Sequence, residues 1–137
     1  MTVTHFTLAY WCVLVAALLP MLCAVIAKWG AMGTSRKDGG FDNHNPRAWL
    51  ARQTDWRARA NAAQANSFEA LPFFIGAVII AHQLGAYQTR LDLLAFVYVV
   101  LRVVYILMYL ADLASLRSLV WVLALFINVG ILFAGYR

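Results

Sequence analysis

Four long apolar stretches occupy most of the chain, and they constrain its fold more than any other feature. The first runs from Thr2 to Ala27, 26 residues without a charged side chain, and the other three follow after residue 65. A helix needs about 20 apolar residues to cross the hydrocarbon core of a bilayer. Because 64% of the 137 residues are hydrophobic and only 12% are charged, a water-soluble fold of this size could not bury them all. The sequence therefore predicts a small integral membrane protein.

These stretches predict an all-α fold class, an integral membrane four-helix bundle in a single domain over residues 1–137. We predict helices at residues 6–29, 48–84, 91–111 and 117–136, and a cytoplasmic loop at residues 30–47. The second helix is expected to begin outside the membrane, because residues 47–71 contain no Gly or Pro and are rich in Ala, Arg and Gln. The first stretch lacks a preceding basic segment, so we expect a retained spanning helix and not a cleaved signal.

The basic residues indicate how the helices are oriented. Seven of the eleven Lys and Arg residues lie between Lys28 and Arg59, and cytoplasmic loops carry the excess of basic residues in membrane proteins. Both chain termini are therefore predicted to face away from the cytoplasm. Because no basic groove interleaved with aromatic residues accompanies this segment, we attribute the net charge of +5 to topology and expect no nucleic-acid partner.

Neither the cysteines nor the histidines form a metal-binding pattern. Cys12 and Cys23 are eleven residues apart in one predicted helix, too far to pair with each other, and we expect them to pack within the membrane. The three His residues are isolated, and no Cys-x-x-Cys or His-Glu-x-x-His spacing occurs. No metal site is predicted.

Polar side chains inside the predicted membrane helices form two stripes. On the second helix Arg59, Asn66 and Glu69 share one side, and the third helix carries a stripe composed of Arg102, Tyr105, Tyr109 and Asp112. Charged groups inside a bilayer cost at least a few kcal/mol, which makes them candidates for function. Two stripes on different helices indicate either a shared polar cavity or an ion pair between Glu69 and Arg102 that holds the helices together.

Arg117 and Ser118 open the fourth predicted helix at the same end of the bundle. Alone, Arg117 fits an interfacial anchor, since Arg side chains at helix ends commonly extend to the membrane surface. At a helix N-terminus, however, the free N–H groups and the helix dipole favour an anion, and a guanidinium beside them would stabilise a thiolate or an oxyanion.

Three segments together resemble the membrane-associated proteins in eicosanoid and glutathione metabolism, the MAPEG family, in its bacterial branch. The first is Arg59-Ala-Asn-Ala-Ala-Gln-Ala-Asn66-Ser-Phe-Glu69-Ala-Leu-Pro72, similar to the second helix of the family. The second is Arg102-Val-Val-Tyr105-Ile-Leu-Met-Tyr109 followed by Leu116-Arg117-Ser118, and the third is Phe41-Asp-Asn-His-Asn-Pro46-Arg47. With four spans, the resemblance covers nearly the whole chain.

The resemblance implies a homotrimer in the bacterial inner membrane, with both termini periplasmic and an active site open to the cytoplasm. Glutathione would bind as cosubstrate between neighbouring subunits, and a lipophilic small molecule would reach it from the lipid bilayer. The family's catalytic positions fall on Arg117, which would stabilise the thiolate, and on Ser118. Its glutathione-binding positions fall on Arg59, Asn66, Glu69, Tyr105 and Tyr109. Arg102 is a further candidate for glutathione binding, because its guanidinium suits a carboxylate.

The resemblance implies an enzyme that conjugates glutathione to lipophilic electrophiles or reduces lipid hydroperoxides. Ala62 and Ala70 replace an Arg and a Tyr of eicosanoid-forming members, so an eicosanoid substrate is not expected. The alternative is a noncatalytic membrane protein of the same fold that binds a lipid or a protein partner. A small multidrug exporter is disfavoured, because such proteins carry a carboxylate in the first helix and this first helix has none.

Overall fold

The computed structural model describes residues 5–137 and shows a bundle of α-helices, with no strand among those residues. The helices are α1 (Leu8–Lys28), α2 (Pro46–Ala51), α3 (Asp55–Gln83), α4 (Gln88–Leu110) and α5 (Ala114–Leu132), with a short 3₁₀ turn at Arg36–Asp38. Among them, α1, α3, α4 and α5 are long and apolar enough to cross a membrane. The predicted all-α bundle with four spanning helices is therefore confirmed.

The prediction of one helix over residues 48–84 differs from the structure, in which α2 and α3 are separate. Trp49 anchors α2 to the preceding loop, since its ring lies 5.2 Å from that of Phe41 and its Nε1–H donates to the Gly39 carbonyl at 3.3 Å. The chain must then turn before it can enter the bundle. It does so at Thr54, which is extended, and at Asp55, whose φ is +54°.

The long helices alternate in direction, so that the four spans form an antiparallel bundle. α1 packs mainly on α3 and α4 mainly on α5, while α4 also contacts α1 and α3, and α5 contacts α3. We call the end where α1 and α4 finish and α3 and α5 begin the basic end. The basic residues that lie there are Lys28, Arg36, Lys37, Arg47, Arg52, Arg57, Arg59 and Arg117.

Small residues bring α1 and α3 close together. Most of the buried residues of these two helices are small: they are Ala9, Cys12, Ala16, Cys23 and Ala27 on α1, and Ala60, Ala63, Ser67, Ala77 and Ala81 on α3. Because lipid is as apolar as the helices, association inside a membrane depends on close packing, which small side chains permit. Cys12 and Cys23 belong to this seam as free, buried thiols, as the sequence predicted.

At the end opposite the basic end, polar side chains hold the start of α1. Asp92 of α4 accepts hydrogen bonds from the backbone N–H of Ala9 at 2.9 Å and from the Gln88 amide at 2.8 Å. The first N–H groups of a helix lack partners within the helix, and a carboxylate there also complements the helix dipole. Asp92 therefore fixes α1 against α4.

A tight turn joins α4 to α5 at the basic end. The N–H of Leu113 donates to the Met108 carbonyl at 2.9 Å, and that of Asp112 donates to the Tyr109 carbonyl at 3.1 Å. This pair of bonds is a Schellman motif, in which Asp112 takes the left-handed conformation with φ of +59°. The turn explains why α5 begins at Ala114, three residues earlier than predicted, and it places the start of α5 beside the end of α4.

Candidate functional site

Two adjoining cavities lie between α3, α4 and α5, and both touch Asn66 and Trp121. The one nearer the basic end, which we call the outer cavity, has a volume of about 280 Å³ and is lined by Asn66, Tyr105, Tyr109, Arg117, Ser118, Trp121 and Val122. The inner cavity, deeper in the bundle, has a volume of about 190 Å³ and is lined by Asn66, Glu69, Ala70, Phe73, Tyr98, Arg102, Trp121, Ala124, Leu125 and Asn128.

The structure brings most of the sequence-predicted site residues to these cavities. Glu69 and Arg102 line the inner cavity, and Asn66 lines both. The outer cavity is lined by four others, which are Tyr105, Tyr109, Arg117 and Ser118. Apart from Arg59 and Asp112, both stripes predicted from helical spacing therefore face the same space. Asp112, placed on the second stripe, instead lies exposed in the turn after α4 and lines neither cavity.

Arg102 is a buried cation whose contacts are neutral. Its exposed fraction is 3%, its Nη2 donates to Asn66 Oδ1 at 2.8 Å, and its guanidinium lies 4.4 Å from the Tyr105 ring centre. Among residues 5–137 the structure shows one ion pair. It joins Arg36 and Asp42 in the loop and does not involve Arg102. Since a buried charge is normally paired, Arg102 makes the inner cavity attractive to an anion.

Glu69 lies one helical turn beyond Asn66 on α3 and is exposed on the wall of the inner cavity. It forms no ion pair with Arg102 in the described part of the chain, so the alternative in which these two charges clamp the helices together is not what the structure shows. The inner cavity thus carries a cation on α4 and a carboxylate on α3. A ligand with groups of both signs would match these two charges.

Arg117 and Ser118 stand in the first turns of α5, facing the tyrosines of α4. The Arg117 guanidinium lies 4.4 Å from the centre of the Tyr109 ring, and that ring packs edge-on against Tyr105 with centroids 5.7 Å apart. Ser118 Oγ donates to the Ala114 carbonyl at 3.1 Å and keeps its lone pairs available. Among residues 5–137 no side chain caps the N-terminus of α5, so the helix dipole and Arg117 both favour an anionic atom in the outer cavity.

Arg59 is the predicted site residue that the structure does not bring to either cavity. Its Nε–H donates to the carbonyl of Leu110 at the end of α4, at 3.2 Å, and the neighbouring Arg57 donates through Nη1 to the Ala27 carbonyl near the end of α1, at 2.9 Å. Carbonyls at helix C-termini lack partners within the helix and attract cations. Both arginines thus connect the start of α3 to the ends of its neighbours.

Sequence reasoning missed Tyr98, Trp121 and Asn128, which also line the inner cavity. Helical spacing contained the signal for all three. Tyr98 precedes Arg102 by four residues and extends the stripe of α4, while Trp121 and Asn128 follow Arg117 by four and eleven residues and so share its face of α5. The site therefore has a third polar stripe, on α5.

Comparison with sequence models of protein families finds a match to the MAPEG family over residues 8–136. Neither a search of curated proteins nor a search of solved structures finds a match. The matched range includes all four long helices and both cavities.

Proposed function

The chain belongs to the MAPEG family, and from this premise we propose that it is a membrane-bound, glutathione-dependent enzyme. It is a multi-pass integral membrane protein of a family whose members generally use glutathione. The proposal goes further and assigns glutathione to the two cavities of this chain. Its reaction would be conjugation of glutathione to a lipophilic electrophile, reduction of a lipid hydroperoxide, or both.

The observation that carries the proposal is buried Arg102, which faces the inner cavity without a carboxylate partner in the described chain. Glutathione has two carboxylates, one ammonium group and one thiol. A carboxylate would take the counter-charge position beside Arg102, and Glu69 would take the ammonium group. Asn66, whose amide already orients Arg102, and the hydroxyls of Tyr105 and Tyr109 would supply further hydrogen bonds.

In this arrangement Arg59 would serve the second carboxylate. Its contact with Leu110 uses the Nε–H, and a guanidinium carries five N–H donors in all. Arg59 lies seven residues, or about 10 Å, before Asn66 along α3, so this role requires a ligand that extends from the inner cavity to the basic end. A subunit interface beside the cavities would provide such a path.

The sulfur would lie in the outer cavity, where Arg117 and the start of α5 favour its thiolate and the Ser118 hydroxyl is close. The thiolate is the nucleophile. In conjugation it forms a carbon–sulfur bond while the leaving group departs or the electrophile takes up a proton. In hydroperoxide reduction the peroxide becomes an alcohol and water, and two glutathione molecules become one disulfide.

Calorimetry of glutathione binding to the detergent-purified protein tests the proposal, with Glu69→Gln and Arg117→Ala beside wild type. A charge-assisted hydrogen bond contributes about 1.5–3 kcal/mol, so we expect Glu69→Gln to weaken binding at least tenfold. Arg117→Ala should retain most of the affinity but lose the ultraviolet absorbance of the bound thiolate and the turnover of cumene hydroperoxide or chlorodinitrobenzene. Arg90→Ala, at an exposed position of α4 far from the cavities, is the matched control.

Absence of binding at millimolar glutathione would refute the enzyme assignment. It would favour the alternative function, a noncatalytic protein of the same fold that binds a lipid or a protein partner in the cavities. In that case Arg117→Ala would also leave any cellular phenotype unchanged, whereas an enzyme would lose it.

We propose that the assembly is a homotrimer in the bacterial inner membrane, with the basic end in the cytoplasm and both termini in the periplasm. The excess of basic residues at that end supports the orientation. Native mass spectrometry would give the subunit number. For the orientation, the native thiols are buried, so a cysteine introduced by Ser35→Cys should resist an impermeant thiol reagent in spheroplasts, while one introduced by Arg137→Cys should react. The reverse result would overturn the orientation.

A further inference from the structure

Asn128 lines the inner cavity and carries a hydrogen-bond acceptor that is not used. Its side chain is 3% exposed, and Oδ1 has no hydrogen-bond partner among residues 5–137. Buried polar atoms are normally hydrogen-bonded, because an unpartnered one costs free energy. An acceptor retained at the wall of a cavity therefore indicates that a ligand supplies the missing donor.

Asn128 lies deeper in the bundle than the position proposed for the sulfur beside Arg117. It follows Arg117 by eleven residues on the same face of α5, which places it about 16 Å deeper in the bundle. The wall of this cavity also includes the apolar side chains of Phe73, Ala124 and Leu125. A lipophilic molecule with one polar group would contact both these apolar side chains and the Asn128 amide.

The chemistry of Asn128 Oδ1 restricts the class of ligand that can bind beside it. A carboxamide oxygen only accepts, so its partner must present an N–H or O–H group. Because the molecule must also be apolar enough to occupy this wall and to arrive from the bilayer, a lipophilic molecule with a hydroxyl group is the class that fits. Ethers, esters and hydrocarbons of the same size lack the donor.

We propose that Asn128 is a specificity-determining residue of a deep subsite, where it binds the hydroxyl group of the lipophilic substrate while the reacting atoms lie near Arg117. The assignment as a substrate subsite rests on the proposed function; the binding of a hydroxyl group does not. Substrates would then carry a hydroxyl group remote from the reacting centre.

Equilibrium dialysis of decanol and decyl methyl ether tests the subsite without glutathione. The same detergent on both sides of the membrane cancels partition into micelles. We expect wild type to bind decanol about tenfold more tightly than the ether, since one hydrogen bond separates the two ligands. Asn128→Leu, which removes the amide at similar volume, should abolish the preference.

Gln64→Met is the matched control, because Gln64 Oε1 is also buried without a partner in the described part of the chain but Gln64 does not line the inner cavity. This variant should keep the tenfold preference. Equal binding of alcohol and ether to wild type would overturn the proposal, and this comparison stands even if Asn128→Leu does not fold. A preference that survives in a folded Asn128→Leu protein would also overturn it.

Turnover separates a substrate subsite from a site for a bilayer lipid with a free hydroxyl group. In the first case decanol raises the KM for cumene hydroperoxide without changing kcat, and Asn128→Leu removes this effect. Binding of decanol with an unchanged KM would refute the substrate role. If glutathione does not bind but the alcohol preference depends on Asn128, the proposed function fails while the hydroxyl site stands; if glutathione binds and the preference is absent, the subsite alone fails.

Discussion

Replacing Arg102 with Met should change stability and ligand affinity in opposite directions. The substitution removes a buried charge that contacts an amide and an aromatic ring. Burial of an ion costs several kcal/mol, and the lost charge-assisted hydrogen bond to Asn66 contributes about 1.5–3 kcal/mol. We therefore expect the free energy of unfolding of the ligand-free protein to rise by about 1–2 kcal/mol.

Glutathione should stabilise this variant much less than it stabilises wild type. Loss of about 1.5–3 kcal/mol of binding energy weakens affinity roughly 10-fold to 100-fold. At a glutathione concentration of 100 times the wild-type Kd, the ligand stabilises wild type by about 2.7 kcal/mol and would stabilise the variant by only about 0.4–1.4 kcal/mol.

Denaturant unfolding of the detergent-purified protein, with and without glutathione, measures both quantities. Arg90→Met removes an exposed Arg from the same helix and should leave both unchanged. An Arg102→Met protein that is strongly destabilised without ligand, yet binds glutathione with the wild-type Kd, would show that Arg102 holds the helices together and does not bind the ligand.

Three further substitutions test the fold. Asp92→Ala removes the side-chain partner of the Ala9 N–H and should lower the free energy of unfolding by about 1 kcal/mol; an unchanged value would show that this contact does not hold α1. Asp112→Gly should raise the unfolding free energy by about 0.5–1 kcal/mol, because Gly adopts the left-handed conformation without strain, and a loss would contradict the assigned turn. The third concerns Asp42 in the loop, whose carboxylate accepts from the His44 N–H; this hydrogen bond, and to a lesser extent Arg36, lowers its pKa from 3.8. The contact should therefore stabilise the loop fully above pH 3.8 and be lost as the pH falls through the lowered pKa, so the amide chemical shift of His44 should titrate in wild type but stay constant in Asp42→Asn.

The long helices could be predicted because membrane-spanning length and composition are local properties of the sequence. The break between α2 and α3 could not, since it depends on Trp49 reaching Phe41 and Gly39. These contacts lie within a loop whose path no periodicity describes. The start of α5 was misplaced for a similar reason, because a left-handed Asp is an uncommon helix terminator.

The same distinction applies to the candidate site. Helical spacing was sufficient to predict that Asn66 and Glu69 share a face of α3 and that Arg102 and Tyr105 share one of α4. The partner of Arg59 could not be predicted, because it is a backbone carbonyl of another helix. Asn128 was overlooked although its spacing from Arg117 is regular. A single neutral amide in a long apolar segment does not stand out as a charged residue does.

The hydrogen bond between Arg57 and the Ala27 carbonyl connects the two ends of a long segment of the chain. Residues 28–56 leave the bundle and return to it beside this contact, which lies next to the small-residue seam between α1 and α3. Loop closure entropy grows slowly, by about 0.6 kcal/mol for each doubling of length. The segment could therefore be lengthened, or could receive an inserted tag or domain, at little cost to the cavities, provided that Arg57 is retained.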